Sequence, residues 1–168
     1  KAFAKAFMAR HGVPTARFAV CHALNDALDA VSGPTFGFPV VVKADGLAAG
    51  KGVVIAEDRA QAERAVRAAL VDRQFGDAGS RLVIEECLTG PEVSFFVLAD
   101  GETAIPIGTA QDHKRLGDDD RGPNTGGMGA FAPSPLMDAE LAARVMREIV
   151  EPVVNGMRAE GHEYCGFL

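Results

Sequence analysis

Two lysines and a run of glycines are the groups in this sequence best suited to chemistry. Lys43 closes the apolar run Pro39-Val40-Val41-Val42, and Gly46, Gly50, Lys51 and Gly52 follow close behind. An ammonium beside bare backbone N–H groups suits a polyphosphate, because glycine lets the chain approach an anion with no Cβ in the way. The segment Gly46–Gly52 has only three residues between its first glycine and Gly50, and Gly52 follows Lys51. A phosphate-binding P-loop needs four residues there and a Ser or Thr after its lysine. A P-loop also runs into a helix, whereas Val53–Ala56 reads as a short strand. The segment is therefore expected to form the tip of a two-stranded ribbon. Either it folds over a polyphosphate, with Lys43 aimed at the same phosphates, or it is a tight turn with a solvated lysine.

Two further segments carry candidates. Glu85 and Glu86 leave the apolar run Leu82-Val83-Ile84, and Leu88 and Glu92 follow. Carboxylates there could accept hydrogen bonds from ribose hydroxyls while the connector backbone reads a purine edge; a solvated acidic edge is the alternative. Gln111-Asp112-His113-Lys114-Arg115 is a dense polar run, followed by Asp118–Asp120 and by Gly122, Gly126, Gly127 and Gly129. Asp112, Lys114 and Arg115 are candidate catalytic groups, since Arg grips a carboxylate or phosphate in a bidentate fork. Gln111–Pro135 shows no period and reads as one long functional loop.

The elements that must hold these groups follow from pattern. Helices are expected over 2–11 and 23–31, from Asp58 (a capping box with Gln61), and from Asp138 to about Glu160, where Pro152 should kink or divide the last. Pro39–Lys43, Val53–Ala56 and Leu82–Glu85 read as buried strands. Val93–Ala99 and Thr103–Thr109 read as a hairpin turning at Asp100-Gly101, and Tyr164–Leu168 as a last strand. The mixture is α+β.

The 168 residues carry 17 Lys and Arg against 23 Asp and Glu, a net charge of −6. Such a chain has no general attraction to nucleic acid or anionic membranes, so an anion must be held by a few local donors. No apolar run approaches the roughly 18 residues of a membrane span, and the start lacks a signal-peptide pattern. Cys21, Cys87 and Cys165 lack metal-ligand spacing and read as reduced thiols. A cytoplasmic setting is expected. The first residue, Lys1, and the apolar end Gly166-Phe167-Leu168 suggest a piece of a larger protein.

Lys43–Gly52, Glu85-Glu86 with Gly90 and Glu92, Gln111–Arg115 and Gly122–Ala130, in this order, resemble the phosphoribosylamine–glycine ligase family of the ATP-grasp superfamily. The resemblance covers essentially the whole chain. It implies an ATP-grasp fold in which two α+β units clasp a nucleotide: a lid over 18–88 and a central unit of 1–17 with 89–168. It implies ATP contacts from Lys43, Gly50, Lys51, Gly52, Glu85, Glu86, Leu88 and Glu92, with Asp112, Lys114 and Arg115 near the substrates. The implied reaction activates glycine as glycyl phosphate, which 5-phosphoribosylamine attacks in purine biosynthesis. The implied magnesium ligands are expected beyond residue 168, so the piece alone is expected to be inactive. Other readings are a ligase with a different acceptor, or a non-catalytic ATP-binding module derived from this fold.

Overall fold

The computed structural model describes residues 1–48, 51–119 and 121–168. The chain divides into two compact units, one of residues 1–10 with 15–89 and one of 11–14 with 90–168.

The first unit contains α1 (Ala2–Arg10), β1 (Phe18–Cys21), α2 (Leu24–Ser32), β2 (Val40–Ala44), β3 (Val53–Ala56), α3 (Arg59–Leu70), a 3₁₀ turn (Gly76–Gly79) and β4 (Leu82–Glu86). Its antiparallel sheet runs β1-β4-β2-β3. The parity of the strands sorts their side chains. Val40, Val42, Leu82, Ile84 and Ala56 pack with Ala27, Val31, Ala62, Val66 and Ala69 of α2 and α3 into one buried cluster. Successive strand residues point to opposite faces, so Val41, Lys43, Val83 and Glu85 occupy the other face. Burial on both faces accounts for the unbroken apolar runs of β2 and β4. The side chain of Asp58 accepts the Gln61 amide at 2.8 Å and starts α3. Gln61 reaches back to the amide of Glu57 rather than that of Asp58.

Strand β3 departs from the expected buried strand. It lies at the sheet edge, and Val53 and Ile55 are 45% and 41% exposed. They pair with Lys43 and Val41, and so share the Lys43 face.

The second unit contains β5 (Ser94–Asp100), β6 (Ala104–Asp112), β7 (Arg115–Gly117), β8 (Arg121–Asn124), β9 (Ala130–Phe131), α4 (Ala139–Val145), a π segment (Met146–Val150), α5 (Glu151–Ala159) and β10 (Cys165–Phe167). Its main sheet runs β10-β5-β6-β9. Val97 and Ala99 of β5 pack against Val150 and Val154 of the helical segment. The β5–β6 turn forms as its residues require: Asp100 Oδ1 accepts the amides of Glu102 and Thr103, and Gly101 takes a φ of 99°. Between Phe96 and Val97 the register shifts, leaving Ile107 as an extra residue on β6. Asp138 caps α4 through the Leu141 amide at 2.7 Å. The π segment ends at Val150, two residues before Pro152, which has no N–H to give the ladder.

The expectation of one structureless stretch over Gln111–Pro135 is corrected here. Residues Gln111 and Asp112 finish β6 and pair with β9, while β7 and β8 form a small ribbon. These strands are only two to four residues long, too short to carry an alternation.

Candidate functional site

In the first unit, Lys43 and Glu85 are brought together by the β2–β4 register. Val41 pairs with Glu85 and Lys43 with Val83, so the two side chains are diagonal neighbours on one face. Lys43 Nζ lies 2.9 Å from Glu85 Oε2. Lys5 of α1 reaches the same oxygen at 3.2 Å. Glu85 is only 4% exposed, so its charge is matched inside the fold rather than by water. Among the described residues, Lys43 has no other side-chain partner, and its side chain is 27% exposed. Beside it lie the half-exposed apolar side chains of Val53 and Ile55.

The base of the glycine segment is fixed by contacts that the sequence reading missed. Asp45 Oδ1 accepts the Ala2 amide at 2.6 Å and so serves as a cap for α1 from another part of the chain. Its second oxygen is gripped by the Arg81 guanidinium. Burial alone would raise the Asp45 carboxyl. Hydrogen bonds from the Ala2 amide and from Arg81 oppose it and hold the group below the usual carboxylate range. The ammonium of Lys1 donates to the carbonyls of Ala44 at 2.5 Å and Gly46 at 2.8 Å. Gly46 itself donates to the Ala78 carbonyl at 3.0 Å, and a Cβ on it would lie 2.6 Å from Ala78 Cα. The Gly52 carbonyl accepts the Ala44 amide at 2.8 Å, so both ends of the segment are held to the ribbon. A Cβ on Gly52 would meet that of Ala48 at 2.7 Å. Lys51 is exposed, and its amide donates to the Ala48 carbonyl. The expectation for Gly50 lies outside the described residues. No local pattern announces these contacts, since Asp45 meets partners 43 and 36 residues away.

The acidic segment separates into different roles. Glu86 is tied to Arg17, whose amide and guanidinium both donate to it and hold its carboxyl below the ordinary value. Leu88 is 70% exposed. Glu92, in the second unit, lies 2.5 Å from Lys114, and Asp112 lies 3.9 Å from the same ammonium. The Glu92 hydrogen bond raises the Lys114 pKa, against some desolvation. Both side chains of the Lys114–Glu92 pair are well exposed, so the pair is weak and easily exchanged. The guanidinium of Arg115 donates to the Gly122 carbonyl across the β7–β8 ribbon at 2.8 Å. Thr125 donates its hydroxyl to the Lys114 carbonyl and accepts the Gly127 amide. The structure thus gathers Asp112, Lys114 and Glu92 in one place, and Lys43 and Glu85 in another.

The family model described as phosphoribosylglycinamide synthetase, ATP-grasp (A) domain, matches residues 1–168. The chain belongs to this family. A phosphoribosylamine–glycine ligase of Xanthomonas axonopodis pv. citri is 58% identical over all 168 residues, and the chain spans 38% of that relative's length. The crystal structure of a phosphoribosylamine–glycine ligase from Thermotoga maritima matches 99% of the chain and 41% of its own at 33% identity, with a TM-score of 0.87. The biotin carboxylase domain of 2-oxoglutarate carboxylase from Hydrogenobacter thermophilus shares the fold at 23% identity and a TM-score of 0.71, over 99% of this chain and 35% of its own. That structure is a complex with MgADP, ADP and bicarbonate. The α+β ATP-grasp fold expected from the motifs is therefore the fold of this chain.

Against the nucleotide and magnesium that the phosphoribosylglycinamide synthetase family implies, the residues give two answers. Lys43, Lys51 and the glycine backbone suit a polyphosphate. Among the described residues no group of three His, Cys, Asp or Glu gathers to hold a metal ion. No helix of the described residues is long and apolar enough to cross a membrane.

Proposed function

We propose that this chain supplies the ATP-handling and part of the substrate-handling machinery of an ATP-dependent carbon–nitrogen ligase that joins glycine to 5-phosphoribosylamine. The observation that carries the reading is Lys43: a rigid strand presents its ammonium beside the glycine segment, with donors to spare. In this reading Lys43, Gly50, Lys51 and Gly52 hold the phosphates, and 85–88 with Glu92 hold the adenosine. Val53 and Ile55 add an apolar surface on the Lys43 face. Residues 18–88 act as the lid, and 1–17 with 89–168 as the central unit. ATP and magnesium are the expected cofactors, and the setting is the cytoplasm.

The chemistry asks little covalent work of the protein. A glycine carboxylate oxygen attacks the γ-phosphorus of ATP, and ADP leaves with the broken bond's electron pair. The amine of phosphoribosylamine then attacks the activated carbonyl carbon, losing a proton and expelling phosphate. Lysines and backbone N–H groups serve by aligning the phosphates and neutralising charge. Asp112, Lys114 and Arg115 attend the substrates, with the weak Lys114–Glu92 pair exchanged for a substrate anion on binding.

The full-length gene product should release ADP only when glycine and phosphoribosylamine are both supplied. ADP release with a different amine acceptor would refute the substrate assignment. ATP binding without turnover under any of these conditions would favour the non-catalytic module.

A further inference from the structure

The Lys5–Glu85–Lys43 cluster contains one more cation than a simple pair needs. Lys5 comes from α1, Lys43 from β2 and Glu85 from β4, all within the first unit. Lys5 is 8% exposed. Its three ammonium hydrogens face three oxygens: Thr15 Oγ1 at 2.6 Å, the Ala16 carbonyl at 3.3 Å and Glu85 Oε2 at 3.2 Å. The Phe18 ring lies 5.6 Å away on another side. Lys5 is thus buried with its donors engaged, while Lys43 touches Glu85 and is partly open to solvent.

We propose that Lys5 is a positioning residue that frees Lys43 to serve a nucleotide's phosphates. The inference rests on the nucleotide reading given above. Two ammoniums and one carboxylate leave the cluster with one unit of positive charge. Lys5 satisfies Glu85 from behind, so Lys43 can turn towards an anion without stranding a buried carboxylate. Without Lys5, Lys43 becomes the only cation for Glu85. Its departure would leave an unpaired buried charge, which is costly.

The test is a double-mutant cycle on ATP affinity, read by calorimetry in the full-length protein. Lys5→Met should weaken ATP binding about tenfold where Lys43 is present. It should change affinity by less than about twofold in a Lys43→Met background, because Lys5 then has nothing to position. Lys5→Arg should recover most of the affinity. A merely structural role would cost the same in both backgrounds, and that result, or no loss in either, overturns the proposal. Should Lys5→Met not fold, Thr15→Val removes the anchor of the ammonium and carries the same cycle. If Lys43→Met itself leaves ATP affinity unchanged, the nucleotide reading falls and this inference falls with it. If Lys43→Met weakens binding and the cycle is additive, only the role of Lys5 is lost.

Discussion

Gly46 offers the sharpest test of how the glycine segment is seated. A Cβ there would lie 2.6 Å from Ala78 Cα and 2.8 Å from Ala78 Cβ. Neither atom can rotate aside, because one is main chain and the other is fixed to it. The Gly46 and Asp45 amides bond to the Ala78 and Arg81 carbonyls at 3.0 Å each, so the two segments cannot slide apart freely. Gly46→Ala must therefore open this seam. Overpacking of this kind costs about 1–3 kcal/mol, and a lost backbone hydrogen bond adds about 1 kcal/mol. Together they predict about 2–4 kcal/mol of lost stability. Urea unfolding would measure it as a lower midpoint at unchanged slope. Gly108→Ala is the control, since no atom lies within 4 Å of its Cβ position and it needs no left-handed backbone. It should stay within about 0.5 kcal/mol of the parent. If Gly46→Ala is as stable as Gly108→Ala, the glycine segment is not seated on Ala78 and the reasoning fails.

Other outcomes follow from the same contacts. On the proposed reading, Lys43→Met should lower the full-length protein's ATP-dependent rate about 100-fold through a lost phosphate donor, while Glu85 keeps Lys5 and the fold survives; unchanged turnover and ATP KM would remove Lys43 from the proposed site. Asp45 has a lowered folded-state pKa, so its stabilisation is present above the unfolded carboxylate value near about 4 and is lost as pH falls below it. Urea midpoints followed from pH 6 to 2 should therefore drop less steeply in Asp45→Asn than in the parent, from a lower starting stability. Asp58→Ala should cost about 1 kcal/mol by uncapping α3, measurable as a lower thermal midpoint; an unchanged midpoint would mean that the Gln61 amide finds water equally well.

The sequence was most readable where structure is local. Asp58 and Asp138 announce helix starts because a cap needs partners only three residues on. Val40-Val41-Val42 announces a strand because β-branched residues leave few alternatives. The strand-to-strand passage through Gly46–Gly52 was also legible, since Val53–Ala56 is too short and branched to start a helix. The candidate site was legible as residues but not as partners. Glu85 reads as one of two surface acids, yet it is buried and bound to lysines 80 and 42 positions away in the chain, whereas Glu86 is paired near the surface with Arg17. Only the register of β2 on β4 separates their fates. The short strands β7–β9 escaped notice because two to four residues are too few to show a pattern of their own.

The register shift in β6 sets a parity for everything downstream of it. Ala104 and Pro106 pair with Ala99 and Val97 and so lie on the helix-packed face; after the shift Thr109 takes that face, opposite Phe95. One extra residue has converted an even count into an odd one. Thr109 and Gln111 are thereby turned to meet Ser134, which gives its amide to the first at 3.0 Å and its hydroxyl to the second at 2.8 Å. Asp112 is turned the opposite way. Deleting Ile107 would remove the extra residue and restore strict alternation, with Thr109 still opposite Phe95 and with Gln111 and Asp112 still on opposite faces. The extra residue is what lets odd-numbered positions beyond it take over the face that even-numbered positions hold before it.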